Sequence, residues 1–214
     1  QDSSSAASDV YKRQISNSLP NKEKKIFFVW PEGIIPNTYE DQLDLYNDIF
    51  EKNFNDNHLI GLGIISRKTM NNDYSYYNSF SIFDSQLNLI DNYKKINLVP
   101  FGEFIPVENI LYKIGLKTIT NNIGSFNKGD NRHIIQLKNG NEKLNFLPLI
   151  CYEIIYSGNL TKNFDFDFIL NISEDGWFGK SIGPKQHFIH SKFRAIENGK
   201  YVIRSSNNGM AAII

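Results

Sequence analysis

A single cysteine, Cys151, stands in a sequence of 214 residues, so neither an intrachain disulfide framework nor a cysteine-based zinc site can be built from it. Nowhere does an apolar run approach the roughly eighteen residues that a membrane-crossing helix needs. An excess of either charge is missing too. Lys plus Arg and Asp plus Glu number 23 each, for a formal net charge of zero. A basic footprint for nucleic acid is therefore unsupported. What remains is 41% hydrophobic and 21% charged, the composition of an ordinary globular domain, at a length that suits one domain with a real core.

The first 24 residues read unlike the rest. Gln1 to Ser8 is rich in Ser and Ala, and the run that follows resembles a translated sequencing-adapter scar. Residues 1–24 are set aside as a disordered or artefactual tail, and the domain is expected to span 25–214. Ile26 to Trp30 is a continuous apolar run that predicts a strand buried on both faces. Asn37 with Glu40 resembles a capping box, followed by helical spacing of Leu43, Tyr46, Ile49 and Phe50. Strands are predicted at 59–66, 74–83 and 87–93, with turns at Asn71-Asn72-Asp73 and Asp84-Ser85. A Pro/Phe/Gly-rich loop covers Leu98 to Pro106, and a short helix is expected from about Val107. The strands 134–137 and 144–150 flank a hairpin turn at Lys138-Asn139-Gly140-Asn141. Another buried strand, 166–172, precedes a helix opened by Pro184 and closed by Gly199, whose apolar positions include Ile189, Phe193 and Ile196. Strands at 201–205 and 210–214 complete the pattern.

Leu147-Pro148-Leu149-Ile150 runs straight into Cys151, as a buried strand would that delivers a nucleophile to its carboxyl end. A thiol is a weak nucleophile near neutral pH because the thiolate is the reactive form, so a reactive cysteine needs a base and an oxyanion partner. The bland alternative is a buried thiol acting as a small hydrophobe. Two other strand ends offer those partners: Glu32 after Val29-Trp30-Pro31, and Lys95 after the strand ending near Tyr93. In open α/β sheets, ligands gather beyond the carboxyl ends of strands. His187 and His190 are three apart on a helix, but no third ligand is evident, which favours core or surface histidines over a metal site. A Cys151–His dyad is possible and not required. Gly61 and Gly63 lack the third glycine of a dinucleotide fingerprint, which leaves close packing as their role.

Trp30-Pro31-Glu32, the stretch Lys95 to Pro106 and Ile150-Cys151-Tyr152-Glu153 together resemble the Glu-Lys-Cys motifs of the nitrilase (carbon-nitrogen hydrolase) superfamily. The Leu98-Val99-Pro100-Phe101-Gly102-Glu103 loop, Asp175 to Pro184, Arg194 to Glu197 and Arg204 to Gly209 are similar to its apolipoprotein N-acyltransferase branch. The resemblance runs from about Ile26 to Ile214. It implies an α/β fold, a nitrilase-like α-β-β-α sandwich, here truncated at both ends. It also implies a ping-pong reaction through a thioester, without metal or cofactor. Carried over by motif, Glu32 is the general base, Cys151 the nucleophile and Lys95 the cation at the oxyanion. Glu103 and Glu153 are supporting acids that hold Lys95 charged and placed, and Tyr152 and Trp177 lie near the acyl and lipid site. The implied partners are a phospholipid acyl donor and the diacylglyceryl-cysteine of an apolipoprotein. The implied location is the bacterial inner membrane, with the catalytic domain facing the periplasm and membrane helices absent from this sequence. Glu174 stands where that branch usually has Asn. The truncated chain is expected to be inactive alone. The competing readings are a soluble nitrilase-type amidase with the same triad and a scaffold that keeps the fold without turnover.

Overall fold

The structure, a computed structural model, describes residues 25–70, 73–104, 106, 125–139, 142–158 and 164–214. The expected tail, the Asn71-Asn72 turn, the helix from Val107 and the centre of the Gly140-Asn141 turn lie outside the described residues. Two sheets carry the fold. The first contains β1 (Ile26–Glu32), β2 (His58–Met70), β3 (Asp73–Phe83) and β4 (Leu89–Lys94), in that spatial order. The second contains β5 (Ile135–Asn139), β6 (Glu142–Ile150), β7 (Phe168–Glu174), β8 (Tyr201–Asn207) and β9 (Ala212–Ile213). β1 and β2 run parallel, as do β6, β7 and β8, while the remaining neighbours pair antiparallel.

Strand alternation sorts the apolar residues into three layers. Phe80, Ile82 and Tyr93 of the first sheet meet Phe146, Ile150, Leu170 and Ile172 of the second between the sheets. On the outer side of the first sheet, Ile60, Leu62 and Ile64 pack against Leu43 of a 3-10 helix (Glu40–Tyr46) and Phe50 of α1 (Asn47–Asn53). Leu147, Leu149, Ile169 and Val202 cover the outer side of the second sheet, with Ala195 of α2 (Gly183–Asn198) against them. Helix, sheet, sheet and helix are thus stacked as an α-β-β-α sandwich.

Three local expectations change. β1 is only half-buried, because it is the edge of its sheet. The helical turn is capped at Tyr39, whose N–H donates to Gln42 Oε1 at 3.1 Å, and not at Asn37 with Glu40. Glu40 instead accepts hydrogen bonds from Ser81 Oγ and Asn92 Nδ2, both at 2.7 Å. The helix ending in Gly199, which takes the left-handed φ of 58°, is inverted relative to its apolar pattern. Ile189, Phe193 and Ile196 are exposed, while His187, Ser191 and Arg194 are buried. Polar groups on the sheet beneath require polar partners, and that requirement overrides the apolar stripe.

Two details position the site. Gly61 and Gly63 do allow close packing: a Cβ at Gly61 would lie 2.5 Å from the Phe80 ring, and one at Gly63 would lie 2.6 Å from the Glu32 Cα. The register of β1 on β2 also slips between Trp30 and Glu32, leaving Pro31 as a bulge and Glu32 opposite Gly63. Pro31 has no N–H to leave unpaired there. Because backbone cannot retreat as a flexible side chain can, Gly63→Ala is expected to cost about 1–3 kcal/mol, read as a lower urea midpoint at unchanged slope.

Candidate active site

Four strand ends deliver the chemistry to one rim. Glu32 ends β1, Lys95 directly follows β4, Cys151 directly follows β6, and Glu174 ends β7. All four line a cavity of about 560 Å³. Lys95 is 1% exposed, and burial of an ammonium to this degree demands compensation. Its Nζ lies 2.8 Å from Glu103 Oε1 and 3.9 Å from Glu32 Oε1. Asn78 Nδ2 donates to the same two oxygens, at 2.5 Å to Glu32 and 2.7 Å to Glu103. The backbone of Glu174 ties the base to the thiol: its N–H donates to Glu32 Oε2 at 3.1 Å, and its carbonyl lies 4.0 Å from Cys151 Sγ.

Cys151 adopts φ 48°, a left-handed conformation that a non-glycine residue takes only when its surroundings enforce it. It opens the 3-10 helix Cys151–Ile155. Glu153 in that helix is fully buried and accepts from three backbone amides: Ile150 at 2.9 Å, Ile96 at 3.0 Å and Asn97 at 3.1 Å. Arg132 Nη2 meets it at 2.9 Å and Tyr93 Oη donates to it at 2.9 Å. Of the two expected supporting acids, Glu103 therefore touches Lys95 directly. Glu153 bonds instead to the segment after Lys95 and the strand before Cys151, with Arg132 as its countercharge. Tyr152 and Trp177 line the cavity, where Trp177 is largely exposed, and the remaining wall includes Ile35, Pro36, Val99, Phe126, Ile155 and Phe178.

The carbon-nitrogen hydrolase profile matches residues 29–214. The chain belongs to the carbon-nitrogen hydrolase family. It is 37% identical over 194 residues to an apolipoprotein N-acyltransferase of Rhizobium leguminosarum bv. trifolii (strain WSM2304), covering 89% of this chain and 36% of that protein. It is 41% identical over 200 residues to the protein of the same name from Wigglesworthia glossinidia brevipalpis, covering 87% and 37%. The chain thus spans little more than a third of the length of these relatives. Among solved structures, Saccharomyces cerevisiae Nit3 of the nitrilase superfamily superposes with a TM-score of 0.56 at 18% identity, over 94% of this chain and 67% of that one. A mutant of the Nesterenkonia AN1 amidase gives 0.57 at 13%, over 95% and 70%. These likenesses establish the nitrilase fold.

Within this hydrolase-family site, burial pushes the Cys151 thiol up to about 12; Glu32 adds to the shift, and Lys95 works against it. Burial alone would lower Lys95, but Glu32, Cys151 and Glu103 together raise it, so the ammonium stays charged. Burial also raises the Glu174 carboxyl, although Asn208, Gly176 and Asn207 donate to it.

Sequence reasoning missed Asn78, Arg132 and the buried cluster behind Cys151. There Arg204 donates to both Asp175 oxygens, at 3.0 and 2.8 Å, and to Asn171. His187 is a core residue of this cluster, as favoured, and its contact with Cys151 is to the carbonyl oxygen, at 3.1 Å. Asn78 and Arg204 stand in strands with several other polar residues, Ser79 and Ser81 in one and Ser205 and Ser206 in the other, so the pattern did not single them out.

If Glu32 raises the thiol as described, Glu32→Gln moves the midpoint of iodoacetamide alkylation at Cys151 to lower pH, measured from rates across pH 7 to about 12; an upward move contradicts the assignment. Asp175 titrates well below the usual carboxyl range, because the His187 hydrogen bond, Arg204 and Ser173 outweigh its burial. Its contribution to stability is then complete above the ordinary pKa of about 3.9 and lost as pH falls through the depressed folded value. Asp175→Asn strands Arg204 and is expected to cost about 3–5 kcal/mol by urea denaturation at pH 7. That difference should hold down to about pH 4 and narrow only below it.

Proposed function

We propose that this chain is the catalytic domain of a bacterial N-acyltransferase that moves an acyl group from a phospholipid to the α-amino group of the diacylglyceryl-cysteine of an apolipoprotein. The observation that carries the reading is the meeting of Glu32, buried Lys95 and Cys151 on one cavity wall. Two features favour acyl transfer over a soluble amidase with the same three residues. The N-acyltransferase relatives are 37–41% identical over most of the chain, and the cavity wall is largely apolar, as an acyl chain requires.

In the first half-reaction Cys151 Sγ attacks the ester carbonyl and its proton passes to Glu32. The Sγ–C bond forms as the carbonyl π pair moves onto oxygen, where Lys95 and the Tyr152 N–H meet the charge. Collapse expels the lysophospholipid alkoxide, which takes the proton from Glu32, and leaves a thioester. The cost of ionising Cys151 beforehand is thereby avoided, since the thiol loses its proton only as the bond forms. In the second half-reaction the neutral amine attacks the thioester and Glu32 takes its proton; the C–S bond then breaks, and Glu32 returns that proton to the departing sulfur, which restores the thiol. An amide is more stable than a thioester, so transfer runs downhill. Tyr152 and Trp177 flank the acyl group, and Glu103 keeps Lys95 charged and fixed. The protein acts at the inner membrane with this domain on the periplasmic side. Among the described residues no helix is long and apolar enough to cross a bilayer.

The test is peptide mass mapping of the protein, expressed from its complete reading frame and incubated with phospholipid alone. An acyl mass on the Cys151 peptide, absent in Cys151→Ala and formed roughly 10²–10³-fold more slowly in Lys95→Met, is the expected result. Acyl groups confined to other residues would refute the reading.

A further inference from the structure

Beneath the cavity floor, the outer face of the second sheet gathers Asn171, Ser173, Asp175, His187, Ser191 and Arg204, all buried. Such a cluster is tolerable only when its members satisfy one another. Its contacts lead to one place. Arg204 and Ser173 Oγ donate to Asp175, His187 Nδ1 lies 2.8 Å from Asp175 Oδ1, and His187 Nε2 lies 3.1 Å from the carbonyl oxygen of Cys151. The Cys151 carbonyl can only accept, so Nε2 is the donor in that contact. Nδ1 lies between Asp175 Oδ1 at 2.8 Å, to which it would donate, and Arg204 Nη2 at 3.2 Å, from which it would accept, and Asp175 binds both side chains.

The peptide bonded at its oxygen is Cys151–Tyr152. It leaves a residue at φ 48°, and the hydrogen bond from the ring fixes its plane. The peptide unit is conjugated, so a hydrogen-bond donor at its oxygen draws density from its nitrogen and makes the N–H a stronger donor. That N–H belongs to Tyr152, in the first turn of a 3-10 helix, where amides lack partners inside the helix.

We infer that His187 is a positioning residue: clamped by Asp175, it orients and polarises the Cys151–Tyr152 peptide so that the Tyr152 N–H stabilises the oxyanion formed when Cys151 attacks a carbonyl. The inference rests on Cys151 being the nucleophile proposed above, but not on the acyl donor being a lipid. His187 touches no reacting atom, and no proton passes through it. The thiol proton goes to Glu32 and the carbonyl π pair to oxygen, as before.

Two reactions at the same sulfur separate this role from a merely structural one. Acylation by p-nitrophenyl butyrate passes through an oxyanion, whereas alkylation by iodoacetamide forms the S–C bond and expels iodide without one. In His187→Ala the maximal rate of the p-nitrophenolate burst should fall roughly 30-fold with half-saturation unchanged within about twofold, while alkylation stays within about threefold. His187→Gln keeps an N–H for the Cys151 carbonyl without the ring, and should recover burst acylation to within about fivefold of wild type. It also carries the test should the alanine variant fail to fold. Equal losses in both reactions, no loss in acylation, or a folded glutamine variant no better than alanine would overturn the inference. A wild-type protein that takes butyryl but no phospholipid acyl group, with the same His187 dependence, removes the lipid reading and leaves this one standing. A wild-type Cys151 untouched by the ester removes both.

Discussion

An ammonium group taken out of water persists only where negative charge meets it, and Lys95 meets that condition through Glu103 and Glu32. The dependence runs in both directions. Glu32 and Glu103 share one amide donor, Asn78, whose own carbonyl accepts the Lys95 N–H at 2.8 Å. Glu32, Asn78, Lys95 and Glu103 are thus held together by one ammonium and one amide shared between two carboxylates. The same balance keeps the thiol protonated at rest, since burial and Glu32 together outweigh Lys95. A nucleophile held this way is quiet until a carbonyl arrives to accept its electrons.

The scaffold behind that balance is made largely of acids that bind backbone. Glu153 accepts from amides on both sides of the gap between the sheets, so the loop after Lys95 and the end of β6 are joined through one carboxyl group. Asp175 does the corresponding work on the outer face, joining β8 through Arg204 and α2 through His187. Ser205 Oγ, donating to the Val29 carbonyl at 3.0 Å, adds a further polar tie between the sheets beside the Glu174–Glu32 and Tyr93–Glu153 hydrogen bonds. Buried carboxylates with several donors each are stiff hubs, and they set distances that apolar packing alone leaves loose.

The principal site residues were legible because they lie where strands stop. Apolar runs ending in Glu32, Lys95 and Cys151 are visible in one dimension, and the parallel course of β1 with β4 and of β6 with β7 brings those ends to one rim. Asn78 and Arg204 were not legible, because a polar side chain in a strand reads as solvent-facing until the second layer is known, and Arg132 lies outside any strand, before β5, with nothing to mark it. The face of α2 failed for a related reason. Periodicity shows that Ile189, Phe193 and Ile196 share a stripe, but the direction of that stripe was decided by Asp175 and Arg204, which need His187 and Ser191 beneath the helix. Glu153, expected by motif to support Lys95, acts through backbone: it accepts from the amides of Ile96 and Asn97, directly after Lys95.

The slip at Pro31 has a consequence for how the base reaches the thiol. Along β1, Val29 faces the other sheet and Trp30 faces the helices, so uninterrupted alternation would send the side chain at position 32 toward the helices as well. One uncounted residue reverses that parity. A carboxylate that would otherwise sit among the aromatic rings of Phe50 and Phe54 is turned through the sheet to stand beside the sulfur. The chemistry proposed for this rim therefore depends on a single residue of surplus length in an edge strand, and a proline occupies it without leaving an amide unpaired.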